Sequence, residues 1–300
     1  MVYIVKLLFF LFLFQLIACK SAIEEKNYIL ATTGMLYDIT KNITDSTFKV
    51  DYLMGEGVDP HLYKFSQRDL QKLNKSTFIV TNGLHLEGKM NFVFEKLSRN
   101  KIVISVGDSV EKNKLIKSGG NLHDPHIWFD LDIWESCILV VSNNLQKQYP
   151  DRKYIIQNKT TNYISEVRKL KQITKKMLES IPTSNRVLIT THDAFQYFGK
   201  ANKIEVKALQ GISTASEFGI KDVNELVDFI IKRKIKALFV ETTLSSKFLE
   251  AVQEGVRSKG AKVVLVEGLY ADAMGELGTK EGTFLGMYES NVRKIVENLK

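Results

Sequence analysis

Short runs rich in Val, Ile, Phe and Tyr alternate along the chain with segments whose apolar residues recur every three or four positions. Runs of this kind, bounded by Gly, Asn or Asp, predict strands, and the longer recurrence predicts amphipathic helices. The predicted strands are Tyr28 to Thr33, Phe48 to Met54, Phe78 to Thr81 and Ile102 to Val106, and later Arg186 to Thr191, Glu205 to Leu209, Ala237 to Val240 and Lys262 to Val266. The helices predicted between them include Gln67 to Leu73, Phe92 to Leu97, Val223 to Ile235 and Lys247 to Lys259, with Gly260 as a C-cap. Strands that alternate with helices form parallel sheets, so we expect an α/β protein with two lobes, each of the (βα)4 type.

A single long helix is predicted between the two lobes, from about Asp151 to Ile181. Its apolar stripe consists of Ile156, Thr160, Tyr163, Val167, Leu170, Ile173 or Thr174, and Met177. Roughly thirty residues of helix span about 45 Å, and Pro182 ends the pattern. Because the segment is not a short Gly- or Ser-rich hinge, we expect a rigid connection and little relative motion of the lobes. The predicted division is therefore a first lobe over 28–150, a linking helix over 151–181 and a second lobe over 182–300.

The N-terminus carries the pattern of an export signal. An apolar run from Leu7 to Ile17 is too short to span a bilayer comfortably, and polar residues follow it at once. The run ends in Leu-Ile-Ala-Cys, which resembles a bacterial lipobox with Cys19 as the lipidated residue. We expect a signal peptide over 1–18, a tether over 19–27 and an extracytoplasmic chain anchored in a bacterial membrane by its acyl groups. The alternative is an ordinary signal peptide in which the cysteine occurs by chance.

Composition narrows the class of protein. The chain has 300 residues, of which 44% are hydrophobic and 25% charged, and this is enough apolar surface to fold. The net charge of +8 comes from 42 Lys and Arg against 34 Asp and Glu, spread along the whole length. Since no basic block stands out, we expect no nucleic-acid partner. We also expect a monomer. The other cysteine, Cys137, lies in an apolar run and is predicted to be an inert core thiol.

Three of the five histidines stand where ligands collect in α/β folds. His61 and His126 each follow an Asp-Pro pair, and His192 follows the strand predicted to end at Thr191. Asp272 lies past the last predicted strand. The carboxyl ends of parallel strands form the ligand crevice, and imidazoles with a carboxylate suit zinc or manganese. Each residue alone is more often an ordinary hydrogen-bonded side chain, and their spacing does not establish that they converge.

Four motifs carry a family resemblance. They are Gly57-Val58-Asp59-Pro60-His61-Leu62-Tyr63, Asp124-Pro125-His126-Ile127-Trp128-Phe129-Asp130, Thr191-His192-Asp193-Ala194-Phe195 and Asp272-Ala273-Met274-Gly275. In this order, and with the run from Gly211 to Glu217, they resemble the TroA-like metal-binding lipoproteins, the cluster A solute-binding proteins of bacterial zinc and manganese ABC importers. The resemblance covers essentially the whole mature chain. It implies two α/β lobes joined by one long helix, with the metal held in the cleft between them.

The resemblance also implies the ligands and the partners. His61 and His126 from the first lobe and His192 and Asp272 from the second are the implied metal ligands. The transported ion is expected to be Zn²⁺ or Mn²⁺, with Fe²⁺ as a further candidate, and the partners are an ABC permease and its ATPase. Many manganese-specific relatives have a glutamate where this chain has His192, whereas zinc-specific relatives often have a His-rich loop where only His123 stands. The resemblance therefore leaves the choice of metal open.

Three further residues are candidates for a supporting role around the metal. His85 is expected to pack near the site, and His123 is either a rim residue near it or an ordinary loop histidine. Glu241 either reaches the cleft or bonds to a neighbouring loop. Trp128 and Phe129 are expected to form an apolar wall behind His126, which strengthens electrostatic interactions at a metal.

Three classes of function fit an exported chain with these motifs. The first is a receptor that captures a metal ion and delivers it to a permease. The second is a surface adhesin whose metal site is structural. The third, a metallohydrolase, needs an open coordination position and a general base such as the Glu of His-Glu-x-x-His, a motif that the chain lacks. We therefore expect a transport receptor and not an enzyme.

Overall fold

The computed structural model describes residues 26–300. The predicted signal peptide over 1–18, the lipidation at Cys19 and all but the last two residues of the tether over 19–27 lie outside the described residues. Within residues 26–300, no helix combines the length and the apolar character that a membrane span requires.

The first lobe is a parallel four-stranded sheet with helices between its strands. Its strands are β1 (Tyr28–Thr33), β2 (Lys49–Met54), β3 (Phe78–Thr81) and β4 (Ile102–Ser105), and their order in the sheet is β2-β1-β3-β4. Its helices are α1 (Gly34–Ile43), α2 (Gln67–Lys75) and α3 (Asn91–Leu97). The Thr33 hydroxyl caps α1, and Ser66 with Asp69 forms a capping box at α2, so the chain turns sharply from strand or loop into helix.

A hairpin and two long helices follow the first sheet. The hairpin strands are β5 (Lys117–Gly119) and β6 (Leu122–His123), which are too short for an apolar pattern to predict them. Helix α4 (Leu131–Gln148) begins where the Asp130 carboxylate accepts hydrogen bonds from two backbone amides of its first turn. Helix α5 (Lys153–Glu179) then leads to the second lobe.

The second lobe repeats the arrangement of the first. Its strands are β7 (Val187–His192), β8 (Glu205–Gln210), β9 (Ala237–Glu241) and β10 (Val264–Leu269), and their order is β10-β9-β7-β8. Its helices are α6 (Gln196–Asn202), α7 (Ile220–Arg233), α8 (Lys247–Ser258) and α9 (Phe284–Leu299). In each sheet, the strand that comes first in the chain lies between the second and the third strands. The chain therefore builds the sheet first on one side of that strand and then on its other side. Such a reversal opens a crevice at the carboxyl ends of the strands. The prediction of two α/β lobes with parallel sheets is confirmed.

Helix α5 is the long helix predicted between the lobes, two residues shorter at each end. Asp151 does not cap it, because Pro150–Arg152 form a separate 3-10 turn and the helix starts only at Lys153. Of the two residues left open for the stripe, Thr174 is buried, whereas Ile173 is 42% exposed. The helix has 27 residues, a length of about 40 Å. It packs against α1 of the first lobe, against α4, and against α9 of the second lobe.

The last strand is displaced from its predicted position. It was expected over Lys262 to Val266 but runs from Val264 to Leu269. A bulge between Glu267 and Leu269, with Gly268 at a φ of +78°, allows the strand to continue to Leu269. Since this strand carries the chain toward Asp272, its displacement sets where that residue enters the cleft.

One apolar core runs through both lobes. It includes Ile29 of β1, Phe129 before α4, Tyr163 of α5, Phe195 before α6 and Val292 of α9. Two smaller cores fill the outer faces of the two sheets. Cys137 lies in the shared core, and burial raises the pKa of its thiol to about 12, as expected for an inert cysteine. Helix α4 precedes the linking helix and α9 belongs to the second lobe, yet both pack on the linking helix, so the packing marks no division at its ends. The boundaries at 150 and 181 stay a prediction.

Candidate metal site

The four candidate ligands lie together in the structure. His61, His126, His192 and Asp272 each offer one ligand atom, and these atoms lie within 4.8 Å of one another. The Nε2 atoms of His61 and His126 are 3.3 Å apart. Asp272 places Oδ1 at 3.3 Å from His126 Nε2 and Oδ2 at 3.2 Å from His192 Nε2. His61 Nε2 is 3.6 Å from the same Oδ2. The sequence spacing left this convergence open, and the fold supplies it.

Both lobes contribute to the cluster. His61 lies in the loop between β2 and α2, and His126 immediately precedes the 3-10 turn Ile127–Phe129. His192 is the last residue of β7, and Asp272 follows the end of β10. The cluster therefore stands in the crevice where the carboxyl ends of the two sheets face each other.

The cluster is shielded from solvent on most sides. His126, His192 and Asp272 are buried, and His61 is partly buried and lines a cavity of about 460 Å³. Within the described part of the chain, the buried Nε2 of His192 and both carboxylate oxygens of Asp272 make no well-aligned hydrogen bond, although other cluster atoms lie 3.2–3.6 Å away. Buried polar atoms without a partner are costly, so they mark a place that suits a ligand.

A carboxylate stands behind each of the two most buried imidazoles. Asp124 Oδ1 accepts from the His126 backbone amide at 3.0 Å and contacts its Nδ1 at 2.7 Å. Glu241 Oε1 accepts from the His192 amide at 2.9 Å and contacts its Nδ1 at 3.0 Å. A proton on Nδ1 shared with the carboxylate leaves the lone pair on Nε2, which faces the cluster. Glu241, left open between a cleft position and a bond to a neighbour, thus lies behind His192.

Asp272 is held through the backbone of the two residues that precede it. Asn291 of α9 accepts a hydrogen bond from the Tyr270 amide at 2.9 Å and donates to the Tyr270 carbonyl at 2.6 Å. The Trp128 indole donates to the Ala271 carbonyl at 3.2 Å. The Trp128 ring also lies 5.3 Å from the His126 ring, so one buried indole contacts a ligand of the first lobe and the backbone next to Asp272 in the second. The apolar wall expected behind His126 is present.

The charges in the cluster shift its pKa values in different directions. Burial lowers the pKa of His61 to about 4, despite the opposing charge of Asp272. Burial also disfavours charge on His126, but the carboxylates of Asp124 and Asp272 outweigh it and raise the pKa to about 9. At His192 burial is likewise outweighed, by Asp272 and Glu241, and the pKa is raised well above its usual value. Burial opposes ionisation of Asp272, yet the imidazoles lower its pKa well below the usual range.

Several supporting residues escaped the sequence reasoning. Asp59 Oδ1 accepts from the His61 amide at 2.8 Å, in the same way that Asp124 accepts from the His126 amide. The repeated Asp-Pro-His motif was the sequence signal for both contacts, because an Asp side chain commonly accepts a hydrogen bond from the backbone amide two residues later. Glu87 gave no comparable signal. Its buried carboxylate accepts from the Asn82 amide at 2.6 Å, and the Asn82 side chain donates to the carbonyl before His126 at 3.0 Å.

His85 and His123 lie outside the group of four. His85 is exposed, has a φ of +65°, and its Nδ1 lies 3.4 Å from the Asn91 amide nitrogen. His123 is partly buried and pairs with Lys117 in the hairpin. Both line the cavity that His61 also lines, so they stand at the approach to the cluster.

Known proteins share this fold along nearly the whole chain. The family described as zinc-uptake complex component A, periplasmic (ZnuA), matches residues 29–298. The manganese-binding lipoprotein MntA of Bacillus subtilis is 42% identical over 284 residues, which are 94% of this chain and 92% of MntA. The zinc-binding protein TroA of Treponema pallidum is 38% identical over 279 residues, or 93% of this chain and 91% of TroA.

A solved structure gives the same result. The periplasmic zinc-binding protein TroA from Treponema pallidum superposes with a TM-score of 0.89 at 38% identity, covering 92% of this chain and 99% of the TroA chain. The resemblance read from the four motifs is thereby confirmed. The chain belongs to the ZnuA and TroA family of metal-binding substrate-binding proteins.

Proposed function

We propose that this protein binds a divalent transition metal ion, Zn²⁺ or Mn²⁺, outside the cytoplasm and delivers it to an ABC permease. The ligands are His61, His126, His192 and Asp272. The observation that carries the proposal is the convergence of four donor atoms, from both lobes, within 4.8 Å of one another.

The spacing of the donors supports the proposal. Four ligands at about 2.0–2.1 Å from a tetrahedral ion stand about 3.3–3.4 Å from one another. In this cluster the donor atoms of His61, His126 and Asp272 lie 3.3–3.6 Å from one another. Asp272 Oδ2 and His192 Nε2 are 3.2 Å apart. For these pairs the spacing is therefore close to that of a tetrahedral metal site, and all the ligand atoms lie within 4.8 Å of one another. The second oxygen of Asp272 faces the same space and offers a fifth donor, which suits manganese as well as zinc.

The surrounding charges favour a cation. Asp272 is ionised, and the carboxylates behind His126 and His192 add negative charge next to the imidazoles. Carboxylates in this position orient the imidazoles and make them better donors to a metal. With four protein ligands around the ion, a tetrahedral site has no open position for an activated water, so the arrangement favours retention of the metal over hydrolysis.

The relatives supply the partners of the proposal. MntA is named a manganese-binding lipoprotein, and SloC of Streptococcus mutans, 29% identical over 303 residues, is named a metal ABC transporter substrate-binding lipoprotein. We extend this to an ABC permease with its ATPase as partners, to lipidation at Cys19, and to a monomer with lobes over 28–150 and 182–300 joined by the segment 151–181. Because zinc binds more tightly than manganese at most sites, affinity alone does not identify the transported ion.

Metal binding is expected to stabilise the fold. At a free metal concentration a thousandfold above Kd, a native-state ligand adds about 4 kcal/mol, which corresponds to a rise of roughly 10 °C in Tm for a chain of this size. Thermal melting of the mature protein with and without Zn²⁺ or Mn²⁺ measures the rise. The matched control is His123→Ala, whose rise should equal that of the wild type. Coincident melting curves for the wild type with and without both metals would contradict the proposal.

The carboxylate behind His192 is expected to tune the affinity. Glu241→Gln keeps the shape of the side chain but removes the charge that orients the imidazole, so the metal Kd should rise ten- to a hundredfold. Competition with a chromophoric chelator measures the Kd. Glu250→Gln, on the exposed face of α8, is the matched control and should leave the Kd unchanged. An unaltered Kd in Glu241→Gln would show that this contact does not act on the metal.

A further inference from the structure

His61 differs from the other three cluster residues in how it is held. It lies in the irregular segment between β2 and α2, whereas His192 ends a strand and His126 and Asp272 are enclosed by core residues. It is also the member of the group that lines the cavity of about 460 Å³, while its imidazole is only 4% exposed. Since His61 is the cluster residue that borders this cavity, the position of its segment bears on any departure of the ion in that direction.

A single carboxylate ties the His61 segment to the opposite lobe. Asp59 Oδ1 accepts from the His61 backbone amide at 2.8 Å. Asp59 Oδ2 accepts from the Thr214 hydroxyl at 2.6 Å, and Thr214 lies in the second lobe, between β8 and α7. The two oxygens of one side chain thus connect a cluster residue of the first lobe with a loop of the second.

Thr214 is itself held in place. Gln210, the last residue of β8, donates its side-chain amide to the Thr214 carbonyl at 2.7 Å. Gln210 also pairs in register with His192 of β7. Thr214 is 8% exposed, whereas its neighbours Ala215 and Ser216 are exposed. The Thr214 hydroxyl is therefore held in a fixed position near His192, at the edge of a solvent-exposed loop.

We propose that the Thr214 hydroxyl and the Asp59 carboxylate form a latch across the cleft that sets the rate at which the metal ion leaves. Thr214 acts as a positioning residue: it fixes Asp59, and Asp59 fixes the backbone of His61. The inference rests on the proposed function. It gives release a local route, because displacement of the exposed loop beside Thr214 frees His61 while both sheets stay intact.

Substitution of the hydroxyl tests the latch. In Thr214→Val, which keeps the shape and removes the hydrogen bond, Zn²⁺ should dissociate on the order of tenfold faster, as expected for the loss of one bond to a charged group. The association rate should stay within about twofold of the wild type. Stopped-flow mixing of Zn²⁺-loaded protein with excess chelator measures dissociation, and mixing of metal-free protein with Zn²⁺ measures association. Thr214→Ser keeps the hydroxyl and should restore slow release.

Two further variants separate the latch from a general structural effect. Thr161→Val is the matched control, because the Thr161 hydroxyl donates to the Gln157 carbonyl on the exposed face of α5. Its release rate should equal that of the wild type. In Asp59→Ala, release should be faster still, and adding Thr214→Val should change it no further, since the partner is gone.

The outcomes distinguish the latch from the function on which it rests. A wild type that binds neither Zn²⁺ nor Mn²⁺ overturns the proposed function. A wild type that binds Zn²⁺, with Thr214→Val releasing it at the wild-type rate, overturns the latch and leaves the function standing. Equal acceleration in Thr214→Ser and Thr214→Val also overturns the latch, because the hydroxyl would then have no role. If Thr214→Val does not fold, Thr214→Ala takes its place with the same expected result.

Discussion

Replacement of His61 by alanine is expected to weaken metal binding at least a hundredfold while leaving the metal-free fold intact. A four-ligand zinc site provides about 12 kcal/mol, so one ligand accounts for about 3 kcal/mol on average. His61 is the best position for this test, because it lies in a loop and not within a helix or strand. Titration against a chelator of known affinity measures the Kd, and melting of the metal-free variant checks the fold.

Two comparisons sharpen this test. Asp272→Asn keeps the size of the side chain but replaces the anion with an amide, and it should also weaken binding at least a hundredfold. His85→Ala should leave the Kd unchanged, because His85 lines the same cavity as His61 but lies outside the group of four. Wild-type affinity in both His61→Ala and Asp272→Asn would show that the metal binds elsewhere.

Metal affinity is expected to rise at least tenfold for each pH unit between pH 6 and 8. Without metal, the carboxylates of Asp124 and Asp272 raise the pKa of His126 to about 9, so its imidazole carries an extra proton at pH 7. The pKa of His192 is raised as well, which adds to the dependence. A proton on Nε2 must leave before that atom binds a metal, and each proton released contributes a factor of ten per pH unit. Binding is therefore favoured above these pKa values and is progressively lost as the pH falls through and below them.

The other two ligands do not titrate in this window. His61 has a pKa lowered to about 4 and stays neutral, and Asp272 has a pKa lowered well below its usual value and stays ionised. Calorimetric titration at pH 7 in two buffers of different ionisation enthalpy measures the number of protons released, which we expect to be at least one. A Kd that is constant from pH 6 to 8, or equal heats in both buffers, would refute the expectation.

The sequence predicted the helices, the strands and the cluster residues well where the pattern lies within one short segment of the chain. The strand predicted over Arg186 to Thr191 was recognisable from its apolar run at Val187, Leu188 and Ile189, and it lies one residue further along, at Val187–His192. The Asp-Pro-His motifs pointed to His61 and His126 because a turn of this kind is encoded within three residues. The linking helix was predictable because its stripe repeats over many turns.

Features made by contacts between distant segments were not predictable from one sequence. The bond from Thr214 to Asp59 joins residues 155 positions apart, and neither residue carries a local mark of it. Glu87 shapes the backbone before His126 only through Asn82, which no spacing rule reveals. Strand ends were shifted for a similar reason, since the length of β10 depends on a bulge against β9. Such contacts arise from the packing of the whole chain.

The apolar core shared by the two lobes makes the chain a single cooperative unit. Residues of β1, α5 and α9 belong to this one core, and α5 packs against both α1 and α9, so neither half retains a complete core without the other. Large-scale opening of one half therefore exposes apolar surface of both, and its free energy approaches that of global unfolding. A metal ion bound by residues of both lobes should therefore slow amide hydrogen exchange in both β1 and β7, although these strands belong to different sheets. Stabilisation gained at four side chains is in this way distributed over the whole molecule.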